Sequence, residues 1–133
     1  MKKALILFSV LALVVSASIS CQKEKQPATP QETIQAVMNA YIAKDFAKVV
    51  SFWDLSETDR LMMQSLYESL DKSGSLPVVT RVELLSTTIT EVDGVETAVV
   101  KYRMHYEGKP SADYDGKLVK KDGKWLVSSA TLK

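Results

Sequence analysis

Between Ser73 and Pro77 the spacing of apolar side chains changes from three or four residues to two. No other feature of the chain constrains its fold as tightly. Upstream, Ile34, Val37, Met38, Tyr41 and Ile42 recur at helical spacing, and downstream Ala98, Val100, Tyr102, Met104 and Tyr106 alternate with polar residues. The first pattern places one apolar stripe on a helix, the second one apolar face on a strand. Gly74 suits a helix end, because glycine accepts the left-handed backbone there, and Pro77 prevents any continuation. A helical half followed by a strand half predicts an α+β domain, with helices laid across the apolar face of a sheet.

The local signals sharpen both halves. Thr29-Pro30-Gln31-Glu32 combines a capping hydroxyl, a proline at the first helical position and a glutamate placed for a capping box. A second, short helix is expected from Asp45, with Phe46, Val49, Val50 and Trp53 inward. Ser56-Glu57-Thr58-Asp59 opens a third, in which Met62, Leu66 and Leu70 recur every four residues. Met62 and Met63 read as adaptable core. Strands are then expected over 78–92, in a second strand carrying the Ala98-to-Tyr106 alternation, over 111–121 and over 124–131. Asp93-Gly94 and Asp122-Gly123 form tight hairpins between them. Lys101, Arg103 and His105 fall on the opposite face of the second strand, so the sheet is packed on one side and wet on the other.

The N-terminus carries an address. Lys2 and Lys3 precede an apolar run from Ala4 to Val15, broken only by Ser9, and small residues follow to Ser20. Such a run spans only about 18 Å at 1.5 Å per residue, short of a hydrocarbon core of about 30 Å. Residues 1–20 therefore read as a cleaved export signal. Cys21, the chain's single cysteine, follows directly. Ser18-Ile19-Ser20-Cys21 resembles the lipobox of bacterial lipoproteins, with Ser18 where leucine is usual, in the looser form of Bacteroidota-type lipoproteins. The resemblance implies that Cys21 is diacylated and that the mature chain is lipid-anchored in the cell envelope, at the outer membrane or the cell surface. Acylation also explains an otherwise exposed thiol in an oxidising compartment. Residues 21–29 read as a polar tether that cannot bury enough surface to order itself. Gln22-Lys23-Glu24 resembles a surface-export signal, from which Lys25 departs.

The folded body is residues 30–133. Without the leader the chain holds 15 basic and 16 acidic side chains, which excludes a broad nucleic-acid footprint. One cysteine and one histidine exclude a structural zinc site. The element order resembles the nuclear-transport-factor-2-like superfamily, in which helices cover the concave side of a curved sheet. The resembling features are the helix pair from Thr29 to Phe52, with Lys44-Asp45-Phe46 opening the second helix, and the closing Lys121-Asp122-Gly123-Lys124-Trp125. The chain is similar to the small bacterial lipoproteins of unknown function built on that fold. The resemblance implies helices on the concave face of a curved four-stranded antiparallel sheet, forming a cone with room for a pocket.

His105 is the one general-base candidate, and alternation puts it on the wet face. Asp113 and Asp115 share a strand face and read as partners of Lys or Arg on the neighbouring strand rather than as a catalytic dyad. Trp53, Tyr102, Tyr106 and Tyr114, with Trp125, are the candidate aromatics for core or pocket, Tyr106 and Tyr114 standing nearest the mouth. No phosphate loop, nucleophile elbow or metal-spaced cluster is present, so no catalytic residue, metal or cofactor is expected. The expected role is a non-catalytic, membrane-anchored domain that binds a protein, a glycan or a small apolar ligand. The alternatives are an isomerase- or dehydratase-type enzyme using the cone, which the family resemblance allows, and a structural envelope accessory.

Overall fold

The computed structural model describes residues 26–128. The export signal, Cys21 and residues 129–131 of the last expected strand lie outside the described residues.

Three helices precede four strands: α1 (Pro30–Ile42), α2 (Phe46–Ser51), α3 (Glu57–Lys72), β1 (Val79–Val92), β2 (Val95–Tyr106), β3 (Ala112–Lys121) and β4 (Lys124–Val127). Each helix begins where its sequence provides a cap. The Glu32 amide donates to Thr29 Oγ1, and the Glu32 carboxylate accepts from the Ala28 amide, closing the box one residue earlier than the simplest pattern. Asp45 accepts from the Lys48 amide and Ser56 from the Asp59 amide. These caps satisfy donors that a helix start otherwise leaves unpaired.

The sheet is an antiparallel meander in the order β1-β2-β3-β4. Asp93 and Gly94, and likewise Asp122 and Gly123, all have positive φ, the conformation that two-residue hairpins demand. β1 departs from regular pairing at Val79/Arg81 and Leu84/Ser86. Such bulges bend a strand and make an open edge a poor template for further pairing. The opposite edge is occupied. Trp53 bridges Val127 in parallel, with the Asp54 amide donating to Val127 O and the Val127 amide to Phe52 O, both at 2.8 Å. Lys121 Nζ closes the same corner on Asp54 Oδ2 at 2.8 Å.

The core lies between α1–α2 and the centre of the sheet. Ile34, Val37 and Ala40 of α1 and Phe46, Val49 and Val50 of α2 meet Ala98, Val100, Tyr102, Leu118, Trp125 and Val127. Gly116 is the notch that lets α1 approach: a Cβ there would lie 2.7 Å from Ile34 Cδ1. From β1 only Val79 is fully buried.

Three expectations need correction. Ile42 ends the α1 stripe but is exposed, because the chain leaves the helix through Ala43 and Lys44, the latter left-handed with φ 60°. Trp53 belongs to no helix and is held in the bridge to Val127. Met62 is not core: it is 65% exposed, whereas Met63 packs against the core with Tyr67. The inward stripe of α3 is shifted by one residue from the expected one.

Candidate functional site

All five tyrosines of the chain lie near one another between the helices and the sheet. Tyr102 and Tyr114 are register partners on β2 and β3, and their rings stack at 5.8 Å. Tyr106, one turn of the alternation away from Met104, shares a 2.6 Å hydroxyl hydrogen bond with Tyr114 and reaches Met104 Sδ at 3.7 Å. From the helical side, Tyr67 lies parallel to Phe46 at 5.6 Å, and Tyr41 sits edge-on to both. Burial is the leading cause that raises the phenol pKa values of Tyr41, Tyr67, Tyr102 and Tyr106; for Tyr106 the Tyr114 hydrogen bond adds to it. Lys109 Nζ stands 4.4 Å from the Tyr106 ring centroid, within cation–π range.

The four aromatics named from the sequence divide between two places. Trp53 and Tyr102 are buried among the core residues, Tyr106 is half-buried and Tyr114 is 41% exposed. Trp125 is buried too. Tyr41, Tyr67 and Phe46 complete the cluster, and nothing in their spacing announces it, since they come from helices far away in sequence. The opening beside them, bounded by Tyr41, Phe46, Asp71, Leu76 and Val79, holds only about 70 Å³. Ligand pockets run to roughly 300–1,000 Å³. The aromatic side chains fill the cone instead of lining a chamber.

The outer sheet face is an array of ion pairs. Arg103 meets Asp113 through two contacts, at 2.7 and 3.2 Å, and Lys101 stands 3.9 Å from Asp115. His105 lies on this face as the alternation predicts. Its Nε2 is 2.9 Å from Glu83 Oε1 and 3.2 Å from Arg81 Nη2, and can donate to the first or accept from the second, not both. The His105 hydrogen bond is the leading cause holding the Glu83 carboxyl below its usual range, and Arg103 does the same for Asp113. None of these groups faces the tyrosines. Among the described residues no three His, Cys, Asp or Glu side chains stand close enough to hold a metal ion.

An unpartnered apolar stripe lies on α3. This helix has sixteen residues, none of them fully buried. Met63 and Tyr67 pack inward, yet Leu61, Met62 and Leu66 are 60%, 65% and 49% exposed. Thr58, Ser65 and Ser69 flank them, so the stripe is uncharged along its length. A surface helix of a lone domain usually buries one stripe and solvates the rest. α3 therefore carries two apolar stripes, one packed inward and one exposed.

No family model and no curated protein matches this chain. Solved structures do. A Campylobacter jejuni protein assigned as an NTF2-like transpeptidase is 19% identical over 75% of this chain and 98% of its own, with a TM-score of 0.53. A SEC-C-motif-containing protein from Rhodopseudomonas palustris is 18% identical over 79% of both chains, with a TM-score of 0.55. At such identities the likeness concerns the fold, which is nuclear-transport-factor-2-like: helices packed with a four-stranded antiparallel sheet.

Proposed function

We propose that this chain is a lipid-anchored protein of the bacterial cell envelope whose domain acts by binding a partner protein rather than by catalysis. The observation that carries the binding role is the outward stripe Leu61, Met62 and Leu66 on a helix that already packs inward through Met63 and Tyr67. Small flanking residues let another helix approach closely, and flexible methionine adapts to its shape. The partner surface that fits is an uncharged apolar helix face. The non-catalytic reading is supported by the filled cone and by the position of His105 on the far side of the sheet from the tyrosines. Burial raises the Tyr102 and Tyr106 phenols further above neutral pH, so these two donate hydrogen bonds rather than act as bases. The anchoring rests on Cys21 and the leader before it.

The test uses photo-crosslinking in intact cells, with a photoreactive residue at Ser65, between the exposed side chains. In the wild-type background one discrete adduct is expected. Met62→Glu with Leu66→Glu should abolish it while the melting temperature changes little, since exposed substitutions typically stay within about 0.5 kcal/mol each. An unchanged adduct in the double variant would refute the α3 contact. Separately, Cys21→Ser should lose incorporation of labelled fatty acid, and retention of the label would refute the anchor.

A further inference from the structure

A second surface stands out by its charge. Between α1–α2 and β4 runs a groove of about 760 Å³ whose floor includes Phe52 and Trp125. Lys48, Arg60 and Lys124 line it, against the single carboxylate of Asp45. Five cations elsewhere, Lys44, Lys101, Arg103, Lys120 and Lys121, each have a carboxylate within 4 Å. Lys48 and Lys124 make no ion pair among the described residues. The Arg60 guanidinium donates to Leu55 O at 2.9 Å, while its buried Nε has no partner. Three cations are thus left facing one concavity.

The groove is also where the chain enters the domain. Gln26 and Pro27 form part of its wall. Five peptide units separate Gln26 from Cys21, a reach of at most about 17 Å when fully extended. Acyl chains on Cys21 would hold this groove against the membrane surface, closer than any feature at the far end of the sheet. β3 is ten residues long, so the turn holding Lys109 lies roughly 33 Å from the hairpin that carries Lys124. That separation exceeds the screening length of about 8 Å at physiological salt.

We propose that this groove docks on the anionic phospholipid headgroups of the membrane that carries the anchor. It fixes the orientation of the domain, with the Lys48, Arg60 and Lys124 side down. The inference rests on the anchoring reading above and adds a second contact to it. Acyl chains alone fix distance but not orientation, whereas a cluster of cations near a negative surface adds a directed attraction.

The test reads orientation, since the anchor already saturates binding. Acylated protein purified from its native membrane is reconstituted into vesicles of phosphatidylcholine, or of phosphatidylcholine with phosphatidylglycerol. It is then pulsed with a water-soluble acetylating reagent, and each lysine is quantified by mass spectrometry. Acetylation of Lys48 and Lys124 should slow about fivefold in the anionic vesicles and recover near 1 M salt, where screening contracts to about 3 Å. Lys101 and Lys109 should acetylate equally in both. Equal rates at Lys48 and Lys124 in the two vesicle types overturn the docking while leaving the anchor intact. The intact mass of the same preparation decides the anchor: a chain without acyl groups overturns both readings together.

Discussion

Gly116 sits on β3 directly beneath α1, and the contact it permits can be tested by adding one carbon. A Cβ at this position would meet Ile34 Cδ1 at 2.7 Å and Tyr102 Cε1 at 3.3 Å. Ile34 is 2% exposed and Tyr102 is buried, so neither has open space to move into. Overpacking of this kind costs about 1–3 kcal/mol. Against it, alanine loses less chain entropy on folding than glycine, a gain of about 0.4–1 kcal/mol. The net expectation for Gly116→Ala is a loss of about 1–2 kcal/mol. For a domain of this size that lowers the melting temperature by roughly 5–10 °C. Ile34→Val removes the clashing Cδ1 and by itself costs about 0.5–1.5 kcal/mol. In the Ile34→Val background, Gly116→Ala should therefore cost far less, giving a favourable coupling of about 1 kcal/mol in a double-mutant cycle. Denaturant melts of the four proteins provide the measurement. A Gly116→Ala protein as stable as wild type, or an equal loss in both backgrounds, would refute the steric account.

Two further outcomes follow from the same packing. The phenols of Tyr41, Tyr67, Tyr102 and Tyr106 are raised mainly by burial. Their stabilising contribution is whole below the unfolded value of about 10 and is lost as pH climbs through the raised values. Phenolate absorbance from these four tyrosines should consequently appear in step with loss of the circular dichroism signal; their ionisation near pH 10 in a native protein would contradict this. Trp53 Nε1 is buried without a hydrogen-bond partner, a cost of about 1–3 kcal/mol that Trp53→Phe removes. That variant should stay within about 1 kcal/mol of wild type by urea unfolding despite the smaller ring, and a loss above 3 kcal/mol would show that the indole N–H is satisfied.

The features legible in the sequence are those written in neighbouring residues. Thr29, Asp45 and Ser56 announce their helices because a cap and its helix are adjacent, and Asp93-Gly94 and Asp122-Gly123 announce their turns for the same reason. The faces of β2 follow from strict alternation. What stayed hidden depends on distant partners. On α3, Met62 with Leu66 and Met63 with Tyr67 form equally good stripes, and only the position of Phe46 decides which turns inward. The irregularity at Leu84/Ser86 has no glycine or proline to mark it. The spacing of Trp53 fits the inner end of a helix, yet its backbone partner is Val127. The tyrosine cluster was half visible: the alternation places Tyr102 and Tyr106 on one face, but Tyr41 and Tyr67 join only through the tertiary fold. No amount of local pattern distinguishes a filled cone from an empty one.

β4 is four residues long, too short to hold itself to a sheet by its ladder alone. It is clamped instead by Phe52 and Asp54 from the helical half, and Lys121 reaches Asp54 across 67 residues of chain. The last strand therefore closes a loop that spans most of the domain. A clasp of such long sequence separation forms late in folding, because its loop must be closed before it is rewarded. Once formed, it makes the helices and the sheet open as a single unit, so that fraying at β4 exposes Trp53, Trp125 and Val127 at once. The shortest strand among the described residues thus governs when the domain becomes vulnerable to proteolysis.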